Sequence, residues 1–266
     1  MDTAERVRKL VHNASYYWAG EAEVVRTYWT SPVRTIETDM LWLARQCFKE
    51  FWGGGVSWRD KEGLFLGNIK TILAQIPEID KTVDRHEIKD ALEGLWAEFS
   101  HYCAFADVYD TIRPAGTPKL NPSVLRPWPE EDAITALRHS HMEKYGAIGL
   151  RACKFTEGGF CTLFSAGMSV KGKGGVYDVI ADACQKVYED EFDHMLIGIA
   201  DIHDENFTDA EWDLLWDLSK LQLEHRIPLR NAQFSFPMSQ ARVQEIYEGK
   251  IDPLPIAPDA RKRLGI

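Results

Sequence analysis

Two stretches of this chain, LWAEFSHYCAF at residues 95–105 and CQKVYEDEFDHMLIG at residues 184–198, share the pattern Glu-Phe-x-His. Both lie in segments of helical periodicity, and residues three apart on a helix share one face. Both pairs also lie in line with apolar neighbours, so we expect them to face the interior. A buried carboxylate is unfavourable unless a partner such as a metal ion compensates its charge. The residues paired in this way are Glu98 with His101 and Glu191 with His194.

A glutamate precedes each of these motifs at nearly the same interval. Glu62 stands thirty-six residues before Glu98, and Glu157 stands thirty-four residues before Glu191, both within a Glu-Gly-x-Phe pattern. This weak internal repeat predicts that two facing helices each supply one carboxylate to the same interior point. The alternatives to Glu62 are Glu37 and Glu50 in the preceding helix, and the alternative to Glu157 is Glu143.

Helical periodicity extends over most of the chain, and Gly and Pro gather in a few gaps. The sequence predicts an all-α protein with one domain, residues 1–266. A proline-rich segment, residues 115–129, connects two predicted helical hairpins, and Thr208 with Glu211 predicts a capping box. The helices are predicted at about 3–29, 33–52, 57–76, 82–112, 129–169, 175–203 and 208–225. The domain is predicted to comprise accessory helices at 1–52, a four-helix bundle at 57–203, and a C-terminal helix with a proline-rich tail at 204–266.

The composition narrows the function classes. The formal net charge of −10 argues against a nucleic-acid partner, since such partners are bound largely by clustered Lys and Arg. No run approaches eighteen apolar residues, so no membrane span is expected. The five cysteines are scattered without a Cys-x-x-Cys pair, and this pattern favours a reduced, cytoplasmic protein.

In these motifs, over residues 57–203, the chain resembles the ferritin-like di-iron carboxylate superfamily, which includes monooxygenase hydroxylases and di-iron N-oxygenases. The resemblance implies a ferritin-like four-helix bundle that holds two iron ions. It also implies that Asp190 accepts a hydrogen bond from the ring of His101. The chain departs from the family pattern at Ala97, where an Asp could stand, and at Cys161, where the monooxygenases often carry Thr. The implied metal ligands are Glu62, Glu98, His101, Glu157, Glu191 and His194.

The resemblance further implies an O2-dependent oxidoreductase that hydroxylates, desaturates or N-oxygenates a small organic substrate. O2 would be a co-substrate. The chain has no electron-transfer cysteine cluster of its own, so the sequence leaves open an external electron donor as a partner. Carboxylate and imidazole ligands also suit manganese or a mixed Mn/Fe pair. A homodimer is open as well. The competing interpretations are a ferroxidase or iron-handling protein and a metal-free helical scaffold.

Overall fold

The computed structural model describes residues 2–53 and 63–266, and within these ranges the chain is helical with no β-strand. The all-α prediction is therefore confirmed for the described residues. Short 3-10 turns cover Ile76–Glu78, Pro122–Val124, Glu157–Gly159 and Asp201–Asp204. The α-helices, numbered here in chain order, are α1 Thr3–Tyr28, α2 Ile36–Trp52, α3 Gly63–Gln75, α4 Arg85–Ile112, α5 Pro129–Thr156, α6 Thr162–Met168, α7 Val176–Ala200, α8 Asp209–Gln233, α9 Gln240–Tyr247 and α10 Pro258–Arg263.

Side-chain caps determine where several helices begin. The Thr208 hydroxyl accepts a hydrogen bond from the Glu211 backbone N–H, and the Glu211 carboxylate accepts one from the Thr208 N–H. This is the predicted capping box, and it satisfies two backbone donors that a helix start leaves free. A second capping box, formed by Thr35 and Thr38, begins α2. None of the described helices has the length and apolar character needed to cross a bilayer.

The predicted continuous helix over 129–169 is wrong, because the chain leaves α5 after Thr156. Four consecutive residues then have positive φ angles, a conformation that side chains with a Cβ rarely adopt. The chain turns sharply there and starts again as α6. Glu157 therefore stands at the end of a helix and not in the middle of one. The four residues are Gly158 (64°), Gly159 (57°), Phe160 (54°) and Cys161 (52°).

The helix predicted at 208–225 extends further, because α8 continues through Pro228 to Gln233. A proline has no N–H, so the carbonyl of Glu224, four residues earlier, loses its helical donor. The Tyr247 hydroxyl in α9 donates to that carbonyl at 2.7 Å. This tertiary hydrogen bond replaces the missing helical one, so the helix tolerates the proline. The tail after it contains α9 and α10, which the sequence predicted only as irregular chain.

Helix packing differs in part from the predicted hairpins. The helix α4 packs most extensively against α2, and α3 contacts it less; α5 packs most extensively against α8. The α4–α7 contact then brings together the two helices that carry the Glu-Phe-x-His motifs. As a result α2, which lies before the predicted bundle, stands beside the first motif.

Two apolar clusters make up most of the core, and a layer of buried and half-buried charged residues lies between them. One cluster includes the stacked rings of Trp42 and Phe234, and the other includes those of Trp18 and Phe160. Four helices contribute to both clusters and place a charged residue between the two contributions. These residues are Glu21 between Trp18 and Val25 in α1, Arg138 between Ile134 and Ala152 in α5, Glu191 between Val187 and Leu196 in α7, and Arg226 between Leu223 and Leu229 in α8.

Candidate metal centre

The imidazole of His101 is fully buried and contacts carboxylates on both sides. Its Nε2 lies 3.2 Å from Oδ2 of Asp190, which is the contact that the sequence predicted. Its Nδ1 lies 3.8 Å from Oε2 of Glu50 and 3.5 Å from Oε1 of Glu191. No group of the described residues hydrogen-bonds to this Nδ1.

The charge on this ring decides what its Nδ1 can do. Burial lowers the pKa of His101, so the ring is neutral at neutral pH. A neutral ring that donates from Nε2 to Asp190 presents a lone pair at Nδ1. That lone pair points towards the carboxylates of Glu50 and Glu191, which are also electron-rich. A cation between them would turn this repulsion into three attractive contacts.

Three side chains are already close enough to share an ion. Glu50, Glu98 and His101 each offer one ligand atom, and these atoms lie within 4.8 Å of one another. Ligands on opposite sides of an ion with bonds of about 2.1 Å are about 4.2 Å apart. Small side-chain movements would therefore bring all three atoms into contact with a single ion.

The carboxylates at this point destabilise one another. Burial, together with the charge of Glu191, raises the pKa of Glu50 to about 7. Burial and the charges of Glu50, Glu191 and Glu157 raise the pKa of Glu98 to about 9. Burial followed by the charges of Glu157 and Asp190 also raises the pKa of Glu191, although His194 opposes this. Such shifts mark a cluster of acids that lacks its compensating charge.

A chain of hydrogen bonds orients Glu50. The Gln46 amide donates to Oε1 of Glu50 at 2.5 Å, and Gln233 donates to Oε1 of Gln46 at 2.9 Å. Arg230 in turn donates to Gln233. This chain fixes one oxygen of Glu50 and leaves the other facing His101.

A cavity of about 170 Å³ lies at Glu50, Glu98 and Glu191, next to His101, and both acidic and basic residues line it. None of its acids at the candidate centre forms an ion pair with a lysine or arginine of the described residues, and Lys49, Arg226 and Arg230 pair with other carboxylates. The acids at the candidate centre are therefore without their counter-charge. We call the lining glutamates Glu50, Glu98, Glu157 and Glu191 the acidic wall, and the lining cations Lys49, Arg138, Arg226 and Arg230 the basic wall; Glu131 also lines the cavity and pairs with Lys49.

The structure brings three of the predicted ligands together: Glu98, His101 and Glu191. Glu157 lines the same cavity from the break after α5. His194 is exposed and lines a different, surface cavity, and Glu62 lies outside the described residues. Among the alternatives, Glu37 and Glu143 are exposed, whereas Glu50 is buried at the site. The full six-ligand set stays a prediction.

The basic wall was not predicted from the sequence. Its signal is a pair of arginines, Arg226 and Arg230, four residues apart among apolar neighbours on α8. Basic residues at helical spacing on a buried face indicate that they pair with acids inside the protein. Glu21, an acid within the apolar run of α1, gives the matching signal. Both arginines do contact Glu21, and Arg226 does so with two hydrogen bonds of 2.6 and 2.9 Å.

No protein-family model, curated protein or solved structure matches the chain. Any function proposed for it therefore rests on its own residues. The strongest of these observations is the neutral, unpartnered Nδ1 of His101 facing the carboxylates of Glu50 and Glu191.

Proposed function

We propose that this chain would hold a pair of iron ions through its clustered glutamates and His101, and that it is an O2-dependent oxidoreductase acting on a small organic substrate. The observation that supports it is the buried Nδ1 of His101, which has no hydrogen-bond partner among residues 2–53 and 63–266 and faces two carboxylates. A structural histidine would be expected to satisfy both ring nitrogens, because an unpaired buried polar atom destabilises the fold.

The donor set suits divalent first-row metals. Carboxylate oxygens and imidazole nitrogens bind iron and manganese, and mixed Mn/Fe occupancy is compatible with the same ligands. Four glutamates carry the charge that would neutralise two divalent ions. We assign Glu50, Glu98 and His101 to one ion, with Glu191 and Glu157 as further ligands. Glu62 and His194 stay candidates from the sequence.

The proposed centre resembles ferritin-like sites in its ligand types, and it differs in which helix supplies the first glutamate. In this proposal α2 takes that position through Glu50, beside Glu98 and His101 of α4. Four separate parts of the chain would then meet at the ions: α2, α4, the break after α5, and α7.

The protein's own residues would hold and orient this centre. Asp190 accepts a hydrogen bond from Nε2 of His101 and so directs Nδ1 inward, and Gln46 fixes one oxygen of Glu50. The bound ions would supply the electron transfer to O2, which protein side chains cannot provide. The cavity volume of about 170 Å³ restricts the substrate to a small molecule or to a small reacting group.

A metal-free scaffold is the competing interpretation, and one observation favours it. Basic side chains line the same cavity as the glutamates, and they could neutralise the acids at long range. The two interpretations differ in metal content. Iron determination on protein purified after iron-replete expression should give about two irons per chain for the proposed enzyme and none for the scaffold.

The matched control for the iron determination lies on the same helix. His101→Ala should lose bound iron, whereas His86→Ala, at an exposed position near the start of α4, should retain it. Equal iron in both variants would contradict the site. An oxygenase and a ferroxidase would both consume O2, so the fate of the iron separates them. After exposure of the iron(II)-loaded protein to O2, a ferroxidase would release ferric mineral, whereas the proposed oxygenase would retain its iron.

A further inference from the structure

The basic wall of the cavity contains more positive charge than its own carboxylate partners neutralise. Lys49 pairs with Glu131 at 3.1 Å, and Arg226 and Arg230 share the single carboxylate of Glu21. The wall thus has four cations against two paired acids, an excess of two positive charges. The four cations are Lys49, Arg138, Arg226 and Arg230.

Arg138 is the cation whose charge has no carboxylate partner within ion-pair distance among the described residues. Its Nε donates to Gln222 at 3.4 Å, and its Nη2 donates to the hydroxyl and the carbonyl of Thr156 at 3.2 and 3.3 Å. All of these acceptors are neutral. The guanidinium lines the cavity, so its remaining donors lie within reach of a molecule bound there.

The pKa values of Arg226 and Arg138 are shifted in opposite directions. Although burial acts to lower it, the pKa of Arg226 is raised by its ion pair with Glu21. The pKa of Arg138 is lowered by burial and by the neighbouring charge of Arg226. Burial also lowers the pKa of Arg230, to about 10, but Arg230 already shares the carboxylate of Glu21.

The acidic wall would supply a negative charge to Arg138 only if no metal were present. Once Glu50, Glu98, Glu157 and Glu191 are bound to two divalent ions, their charges are used at the metal centre. The excess on the basic wall then requires another anion. An arginine presents paired N–H donors that match the oxygens of a carboxylate or a phosphate.

We propose that the cavity binds a substrate through an oxyanion group, a carboxylate or a phosphate, held by Arg138 and directed away from the metal centre. This inference rests on the proposed function, because the metal ions must first neutralise the acidic wall. It narrows the substrate class to small organic anions. The reacting end of such a substrate would face Glu98 and His101, and its charged end would face the arginine.

The test is calorimetric titration of metal-loaded, full-length protein with propionate, with inorganic phosphate, and with propionamide as the uncharged analogue of propionate. The metal content of each sample is measured beforehand. Wild-type protein should bind at least one of the two anions, while propionamide should not bind. The tighter of the two anions identifies the head group.

Variants on one helix separate the oxyanion site from direct binding of the probe to the metal. Arg138→Gln should weaken anion binding at least tenfold, and Arg138→Lys should weaken it less, because the charge is retained without the paired donors. The control is Arg151→Gln, since Arg151 also lies in α5 but pairs with Glu205 outside the cavity. It should change binding less than twofold. Circular dichroism checks that each variant is folded.

Two results would overturn the inference, and they are distinguishable. Metal-loaded wild-type protein that binds neither anion would refute the oxyanion site and leave the metal centre standing. Equal anion affinities in the wild type and in Arg138→Gln would do the same. Protein that holds no metal under loading conditions would refute the proposed function, and the oxyanion site would lose its premise with it.

Discussion

Glu50 differs from Glu37, the other glutamate of α2, because its side chain is buried and reaches Nδ1 of His101, to which no described residue hydrogen-bonds. We predict that Glu50→Gln weakens metal binding by about tenfold or more, since a neutral amide is a poor ligand for a divalent ion. Glu37→Gln, at an exposed position of the same helix, is the matched control and should leave binding unchanged. Titration of metal-free protein with Mn(II), followed by electron paramagnetic resonance, measures both affinities.

The same two variants test which glutamate supplies the first metal ligand, a question that the sequence left open. If Glu37→Gln weakened metal binding and Glu50→Gln did not, the first ligand would be misassigned. Comparable affinities in both variants and wild type would instead point to Glu62.

The raised pKa of Glu98 has a consequence for the metal-free protein. An unfolded glutamate has a pKa of about 4.3, and in the folded protein that of Glu98 is about 9. Between these values the folded state binds the extra proton, so the free energy of unfolding falls as pH rises. We predict that the Tm of metal-free protein falls between pH 6 and pH 9, and that Glu98→Gln reduces this fall.

At pH 8 the metal-free Glu98→Gln protein should also be more stable than the wild type, by about 1 kcal/mol or about 2–4 °C in Tm. Glu143→Gln, at an exposed position, should follow the wild-type curve. Thermal denaturation monitored by circular dichroism gives all three curves. Identical pH dependence in the wild type and Glu98→Gln would show that this carboxyl group is not destabilised by its neighbours.

At the scale of elements, the break between α5 and α6 is held by a close approach of backbone to side chains. A Cβ on Gly159 would lie 2.6 Å from Oε1 of Glu21 and would overlap the guanidinium of Arg226. We predict that Gly159→Ala lowers stability by about 3 kcal/mol, because it disrupts this buried ion pair. Denaturant unfolding measures the change.

Gly158 provides the control for this substitution, since it has a similar positive φ and open space around its Cα. Gly158→Ala should lower stability by only about 1 kcal/mol, the conformational penalty for an alanine with positive φ. Equal losses in the two variants would mean that the ion pair does not constrain the break.

The proline in α8 gives a second prediction for an element. Tyr247→Phe should lower Tm by about 2–4 °C, because it leaves the Glu224 carbonyl without a donor. In a Pro228→Ala background the loss should be smaller, since the new N–H of residue 228 can donate to that carbonyl. A double-mutant cycle measured by thermal denaturation reads the difference. Additive effects would contradict the compensation.

The sequence predicted the helices better than it predicted where they are interrupted and which helices pack together. The capping box at Thr208 and the burial of His101 follow from local spacing. The break at Gly158 does not, because it depends on the contact of Gly159 with Arg226, a residue far along the chain. Helical periodicity also does not predict that α2 packs beside α4, because this packing depends on tertiary contacts.

For the whole molecule, the important feature is a charged layer between two apolar clusters. Buried ion pairs are weak contributors to stability, because desolvation offsets much of their attraction. The unpaired acids make this layer weaker still in the absence of a compensating cation. A bound ion would connect α2, α4 and α7 across the layer and would favour the folded state.

Metal binding should therefore stabilise the entire fold. At a free ion concentration of one hundred times Kd, the stabilisation is about 2.7 kcal/mol, equivalent to a rise in Tm of about 5–10 °C. Differential scanning calorimetry with and without Mn(II) measures it, with His101→Ala as the control that should not respond. A rise of the same size in that variant would place the ion elsewhere.

The most direct test of the metal centre is anomalous X-ray scattering from crystals of iron-replete protein, collected on both sides of the iron absorption edge. We predict an iron peak within about 2.0–2.2 Å of Nδ1 of His101 and of carboxylate oxygens of Glu50 and Glu98, with a second peak nearby. Iron-replete crystals with no peak beside His101, and with its Nδ1 hydrogen-bonded to a protein group or water, would contradict the proposed centre.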